Sequence, residues 1–423
     1  MSVRRSAALW PLLAALAAAG CVPYKHRTAE ARRAFYAGDC DRSAELYSRH
    51  AGEPGRERLL YLFDAGLALH TAKRYAESNR CFLAADRLIQ ELNFVHLGAQ
   101  AASVVFDDRA VPYQGEEFED ALINVFAALN FILAGGPKGP EEALVECRRL
   151  DWKLREFSEL RGRKYLQNAF ARYLSGLAYE MDREPNDAYI DYKLVHKLRP
   201  DFEPVKADLV RLARRLGFAD DAEQWEKKFG IRHDPAAERG SGEVVLVYQC
   251  GRAPEKVPQD DLLDLPVYVP RAFRDRAAEV LWNDRPLART QVLEDIEATA
   301  IRTLADRMGP IVAKRLASLA VKTGVAVGAH ELVRRRTKHH ELADAAGLFL
   351  FMLLKGLDQA DTRSWLTLPA NLQVARVRLS AGTHTLRVVF LDAAGAPTGH
   401  QAEFLNVPVR EGAITLLVTR TLQ

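Results

Sequence analysis

Several signatures of catalysis and cofactor binding are missing from this 423-residue chain. There is no GxxxxGK[ST] phosphate loop; residues 135–140, Gly-Gly-Pro-Lys-Gly-Pro, lack the closing Lys-Ser/Thr pair and read as a turn. No GxSxG elbow occurs, and no Ser-x-x-Lys stands in a context suited to a nucleophile. His330-Glu331 has no second histidine, which leaves a helical zinc-protease site one ligand short. Cysteine is sparse: five residues, none in CxxC or Cys/His metal spacing. These gaps argue against P-loop hydrolysis, serine-elbow acyl transfer and zinc hydrolysis, and no cofactor or metal is expected. Charge of one sign is lacking too. The formal net charge is +3 and falls to +1 once Arg4 and Arg5 are removed, so no nucleic-acid face is expected. No apolar run reaches the roughly 20 residues that a membrane-spanning helix needs.

What is present begins at the N-terminus. Arg4 and Arg5 precede an apolar core over residues 7–19, and Ala18-Ala19-Gly20 lead into Cys21. Charged, apolar and small residues in that order are the plan of a secretory signal. A cysteine directly after the small residues resembles the lipobox of bacterial lipoproteins, where the thiol is acylated and becomes the mature N-terminus. Ala18 stands where Leu is more common in that motif. Residues 1–20 are therefore expected to be a signal peptide and Cys21 a lipidation site; ordinary cleavage beside an unrelated cysteine is the alternative. A single acyl chain holds a protein marginally, whereas two or more hold it stably. The resemblance implies three. Val22, rather than Asp, after the cysteine implies the periplasmic face of the outer membrane of a Gram-negative bacterium. Ser6-Ala7-Ala8 after the arginine pair does not fit a twin-arginine signal, so the Sec route is expected. Helical pattern resumes near Thr28, at most about 25 Å of extended chain from the anchor.

From Thr28 to about Gly230 the apolar spacing is helical, and several segments share one register. Gly176, Tyr179, Ala188, Tyr192, Val195 and Pro200 fall at offsets 0, 3, 12, 16, 19 and 24, the pattern of a tetratricopeptide (TPR) repeat. Gly66, Leu69, Tyr75, Ser78, Phe82 and Ala85 repeat much of it, and Ala31, Gly38, Ala44 and Tyr47 mark a truncated first unit. A longer hairpin is expected over residues 118–157 and a degenerate one over 205–229. Such a solenoid has an inner groove lined by the first helix of each hairpin. Asp64, Leu67, His70, Arg172 and Ser175 are candidate partner-groove residues, each with an ordinary packing or solvated position as its alternative. Cys40, Cys81, Cys147 and Cys250 could form up to two disulfides in an oxidising compartment or stay buried thiols. If one bridge forms, Cys40 with Cys81 is the expected pair.

Arg239-Gly240-Ser241-Gly242 reads as a boundary, and the β-branched run over residues 243–249 as a mostly buried strand. Helical periodicity returns over residues 291–333, broken at Gly309-Pro310. Residues 343–357 are strongly apolar, long enough for a buried helix or an interfacial one but too short to span a bilayer. Residues 334–340, Arg-Arg-Arg-Thr-Lys-His-His, read as a solvated helix end or as a contact for anionic lipid or an acidic partner. Strand signals alternate with turns from Leu372 onward. The expected fold class is α+β and multidomain. A TPR-like α-helical solenoid covers residues 21–235, a mixed strand and helix region 236–360, and a small antiparallel β module 361–423.

Val111-Pro-Tyr-Gln-Gly-Glu-Glu-Phe-Glu119, Ala127-Ala-Leu-Asn130 and Ala143-Leu-Val-Glu-Cys-Arg-Arg149 are similar to segments of a family of bacterial TPR-containing lipoproteins. Gly242-Glu-Val-Val-Leu-Val-Tyr248, Ala360-Asp-Thr-Arg-Ser-Trp-Leu-Thr-Leu-Pro369, Gln373-Val-Ala-Arg376 and Ala381-Gly-Thr-His384 extend the resemblance in the same order. It implies an exported lipoprotein with helical repeats and a C-terminal β module, and it carries no catalytic residues with it. Tyr113, Glu119, Glu146 and Arg149 place polar groups in an apolar hairpin, where Glu146–Arg149 or Glu119–Arg149 could form a buried pair. Asp361, Arg363 and Trp365 sit before the β module, with Arg363 able to tie Asp361 and Trp365 able to plug a domain joint. Either cluster could instead be a ligand notch. The expected function is a non-enzymatic, membrane-anchored scaffold that docks envelope proteins for cell-wall synthesis or surface export. The alternatives are a cell-wall enzyme or enzyme activator acting through Asp361–Trp365, and a purely structural envelope lipoprotein.

Overall fold

Five helical hairpins build the first half of the molecule, and glycines set their closest approaches. The computed structural model describes residues 23–99, 111–160, 162–163, 166–259, 263–336 and 359–422. After one turn, α1 (Tyr24–Arg27), the helices are α2 (Ala29–Tyr36), α3 (Cys40–Ala51), α4 (Arg58–Thr71), α5 (Tyr75–Ala99), α6 (Glu117–Ala134), α7 (Gly139–Arg155), α8 (Ala169–Met181), α9 (Pro185–Leu198), α10 (Glu203–Arg215) and α11 (Ala219–Phe229). Consecutive members pair from α2/α3 to α10/α11. A Cβ on Gly66 would lie 2.5 Å from the Phe82 ring, and one on Gly176 would collide with the Tyr192 ring. Each ring follows its glycine by the same interval, so one close helix contact recurs in two hairpins. Helix starts are fixed locally. Asp39 accepts the Arg42 N–H at 3.1 Å, Asn168 accepts that of Ala171 at 2.7 Å, and Glu116 and Glu119 form a capping box at α6.

A last turn, α12 (Pro235–Glu238), leads into strands β1 (Ser241–Cys250), β2 (Glu255–Pro258), β3 (Pro266–Val269), β4 (Ala277–Trp282), β5 (Arg285–Arg289) and β6 (Gln291–Asp295). Helix α13 (Ile296–Arg336) follows, then β7 (Asn371–Ser380), β8 (Gly382–Leu391), β9 (Pro397–Val409) and β10 (Ile414–Arg420). Two four-stranded sheets result, ordered β10-β1-β7-β6 and β5-β4-β8-β9, with β2 and β3 as a separate hairpin arm. Alternation along β1 shows how they stack. Val244, Leu246, Tyr248 and Cys250 face the second sheet, while Val245 and Val247 join the core of the helices. On β7, Leu372 and Val374 face the helices and Ala375, Val377 and Leu379 the second sheet. The first sheet is thus a middle layer with an apolar face on each side.

Four expectations need correction. The β module is not confined to residues 361–423, because β1 and β4–β6 complete both sheets; nor is it wholly antiparallel, since β1 pairs with β10 in parallel. Residues 291–295 form a strand, not the start of a helix, because pairing with β7 outweighs local periodicity. Helix α13 continues through Gly309-Pro310. The carbonyl that the proline ring displaces belongs to exposed Asp306, where water can satisfy it. All four described cysteines are free, Cys40 and Cys81 included, each packed within its own element. Cys21, residues 343–357 and residues 337–340 of the basic run lie outside the described residues. Among those described, no helix is long and apolar enough to cross a membrane.

Candidate functional site

The inner face of the solenoid is occupied by the chain itself. Asp64, on α4, is fully buried and holds the segment that precedes β7. Its carboxylate accepts the Thr367 N–H at 3.0 Å and hydroxyl at 2.7 Å, and also the Tyr24 hydroxyl at 2.7 Å. Two turns along α4, His70 lies between Asn130 Oδ1 at 2.6 Å and Gln249 Nε2 at 2.6 Å. An acceptor on one side and an amide donor on the other assign the neutral ring, protonated at Nδ1. Burial lowers its pKa to about 4, in keeping with that state. Asn130 passes the chain on to Ser78 at 2.8 Å and Asn79 at 2.7 Å. His70 is therefore a relay between helices and sheet, closed to an external ligand, and Leu67 is likewise wholly buried.

Tyr113, Glu119, Asp361, Arg363 and Trp365 meet at one joint. Glu119 accepts the Tyr113 hydroxyl at 2.6 Å, the Glu116 N–H at 2.9 Å and the Trp365 N–H at 2.7 Å. Trp365 stacks on Phe63 with ring centres 4.5 Å apart and meets Phe82 and Phe126 at tilted angles. Arg363 grips Asp361 through two nitrogens at 2.8 and 2.7 Å, donates to the Val111 carbonyl at 3.0 Å and lies over the Tyr113 ring. Glu116 joins the arm to the helices, binding Lys256 at 2.8 Å and Arg307. Glu146 and Arg149 are elsewhere. They pair on α7 at 3.1 Å with Glu146 buried against Asn124, but the Arg149 side chain is half exposed and far from Glu119 in the bonding network. Arg172 is engaged by Asp151 and Asp191, and Ser175 is buried on α8, so neither lines an open groove. Asp64, His70, Arg172 and Ser175 must be withdrawn as a partner groove: Thr367 and Gln249 occupy the first two, Arg172 is held by Asp151 and Asp191 of the neighbouring helices, and Ser175 is buried.

Glu119 gives the joint a pH response. Burial, reinforced by the Glu116 charge and opposed by its three donors, raises its pKa to about 7. The unfolded chain loses this proton near the ordinary carboxylate value, and the folded chain keeps it to about 7. The group's contribution is therefore complete in acid and is lost as pH rises through that window. Glu119 should make the protein on the order of 3 kcal/mol more stable at pH 5 than at pH 8. Glu119→Gln can keep an acceptor for Trp365 and an amide for Tyr113. Urea midpoints at both pH values should show a smaller pH difference in the variant; identical differences would rule out a raised pKa at this site.

One cluster escaped the sequence reading. Arg376 on β7 contacts Glu180 at 3.0 Å, Asp208 at 3.1 Å, Glu243 and the Tyr192 hydroxyl, and Arg211 meets Glu180 at 2.6 Å and Asp208 at 3.1 Å. Burial opposes the charges on Glu180 and Glu243, yet the two guanidiniums overcome it and hold both carboxyls below their ordinary range. The signal was present in β1: Glu243 and Gln249 are the polar members of the same alternating row as Val245 and Val247. Among the described residues no group of His, Cys, Asp and Glu is placed to hold a metal. Two open clefts stand out among the described residues. One of about 1030 Å³ lies between Arg27, His50 and Arg58 on one wall and Pro258, Thr362 and Ser364 on the other, with Pro23 at its edge. A second, of about 660 Å³, lies on the outer side between α5 and α7.

No family model matches the chain, and no curated protein matches it in sequence. Solved structures show partial overlaps. MamA from Desulfovibrio magneticus RS-1 shares 14% identity, with 49% of this chain and 90% of that one covered at a TM-score of 0.32. A kinesin light chain with nearly identical TPR-like repeats from Podospora anserina gives 13% identity, 48% and 91% coverage and a TM-score of 0.31. The apo form of RapI gives 12% identity, 49% and 69% coverage and a TM-score of 0.35. By its own elements the chain is a helical-hairpin half joined to two stacked four-stranded sheets.

Proposed function

We propose that this chain is a membrane-tethered docking scaffold of the bacterial envelope, with Cys21 as its acylated anchor. The observation that carries the reading is the state of the solenoid. Its inner face is sealed by buried bonds to the chain's own sheet, so helices and sandwich act as one body, and the roughly 1030 Å³ cleft beside Pro23 remains open. That cleft begins two residues beyond Cys21, and both its walls are furnished: one by α1 and the turn before α4, the other by β2 and residues 359–366. A rigid body held close to a bilayer presents such a cleft at a fixed height and orientation, which raises the effective concentration of a partner bound to the same membrane. Among its described lining residues, guanidiniums of Arg27 and Arg58, hydroxyls of Thr362 and Ser364 and the Pro258 ring offer contacts for a docked partner.

A photo-reactive residue at Thr362, compared with one at exposed Ile190 on α9, tests this. The expected result is a discrete crosslinked envelope protein at Thr362 that disappears when Cys21→Ser frees the chain from the membrane. Equal products from both positions, or products indifferent to Cys21→Ser, would refute a tethered dock.

A further inference from the structure

The outer cleft between α5 and α7 has the make-up of a second binding surface, independent of the first. On α7, Val145, Arg149 and Trp152 follow one another at helical spacing on the outward face, with Arg148 beside them. Trp152 is 66% exposed and Val145 is 42% exposed, in a helix whose opposite face is fully packed. On α5, Leu83, Arg87 and Gln90 form the facing wall, again one helical stripe. The floor is fixed by Lys153, which reaches Asp86 at 2.5 Å and Asp120 at 2.6 Å and so pins α7 to α5 and α6 from below.

The charges divide into satisfied and unsatisfied sets. Lys153 is consumed by Asp86 and Asp120, and Arg149 is shared with buried Glu146. Arg87 bonds only to its own helix, at the Leu83 carbonyl, and neither Arg87 nor Arg148 has a carboxylate partner among the described residues. The cleft therefore offers an exposed indole between guanidiniums that lack counter-charges. Tryptophan and arginine dominate the energetics of protein contacts. Arginine pairs best with carboxylates in forked geometry. A second copy of this chain is a poor occupant, because its matching cleft carries the same sign.

We propose that this outer cleft binds an acidic segment of a partner protein, with one bulky apolar side chain of that segment laid on Trp152 and flanking carboxylates held by Arg87 and Arg148. The two-walled shape suits an amphipathic helix lying along α7.

The test uses the mature chain carrying Cys21→Ser in solution. The probe is a fluorescein-labelled helical peptide with Glu at i, i+4 and i+7 around one central Phe on the same face and Ala elsewhere, and the control is the same peptide with Lys for Glu. The acidic peptide should bind saturably, weaken with added salt, and lose at least tenfold in affinity with Trp152→Ala and with the pair Arg87→Gln, Arg148→Gln. Both variants alter exposed side chains, so an unchanged unfolding midpoint should accompany the loss. Equal binding of the two peptides, no binding at all, or affinity indifferent to Trp152→Ala would overturn the proposal. So would Trp152-dependent binding to phosphatidylglycerol vesicles without peptide binding, or concentration-dependent dimers abolished by Trp152→Ala. Because the assay needs neither anchor nor membrane, its failure leaves the cleft beside Pro23 untouched, and loss of the Thr362 crosslink leaves this one untouched.

Discussion

Arg376→Met should lower the unfolding free energy by about 3–5 kcal/mol, the usual cost of stranding buried carboxylates by removing their partner. Arg376 is the one cation that touches Glu180, Asp208 and Glu243 together from the sheet side. Without it, Arg211 is left facing Glu180 and Asp208, and lies 3.9 Å from Glu243, whose other partner is the partly exposed Arg378 at 3.0 Å. Methionine fills most of the volume, so the loss measures charge and not a cavity. Two further variants separate the terms. Arg376→Lys restores the charge without the planar fork and should recover part of the loss. Arg376→Met with Glu243→Gln removes one stranded charge and should recover more than half. Urea unfolding at pH 7 reads all three, and a loss below about 1 kcal/mol for Arg376→Met would mean that the cluster does not clamp sheet to helices.

Trp365→Ala should cost a similar amount, about 3–5 kcal/mol, by a different route. The indole is buried among Phe63, Phe82 and Phe126, which come from α4, α5 and α6, and its Nε1 donates to Thr367 Oγ1 at 3.0 Å. Alanine leaves a void bounded by three rings that are themselves held by neighbouring hairpins, so the walls cannot collapse into it. Trp365→Phe keeps most of the packing and should cost less than about 2 kcal/mol. The loss should be local as well as global. Amide exchange in α4 should accelerate more than in α10, since only α4 contacts both the ring and the Thr367 strap. Uniform acceleration across the helices would show that Trp365 is not the plug of this joint.

Much of the helical half was readable because it depends on short-range spacing. Gly66 with Phe82 and Gly176 with Tyr192 mark the same contact at the same interval, and the hairpin boundaries follow from it. The inner face was misread for a physical reason. Asp64 and His70 lie on a first helix at positions that face a groove, and spacing cannot tell whether the groove is filled by solvent, a partner or a sheet formed three hundred residues later. Pairings such as Asp64 with Thr367 or His70 with Gln249 are tertiary, and no local pattern encodes them. β1 did carry a hint: a strand with apolar residues on both faces must be covered on both, and the helical half offers a large apolar surface to cover the second. Glu146 and Arg149, grouped with Glu119 by sequence, stand apart from it because Glu119 bonds Tyr113 and Trp365 while Glu146 bonds Asn124 and Arg149.

The parallel pairing of β1 with β10 has a consequence for how the molecule comes into being. The helices are synthesised first, but the strand that completes their cover ends at Arg420, and the Tyr248 hydroxyl waits for Thr421 at 2.7 Å. Until that pairing forms, the apolar row of the solenoid that β10 covers with Leu416 has nothing to lie against. A chain cut short before β10 would keep that row bare and remain a substrate for chaperones and proteases. Closure of the groove therefore waits on the pairing of β1 with a strand far along the chain, a long-range contact that forms late.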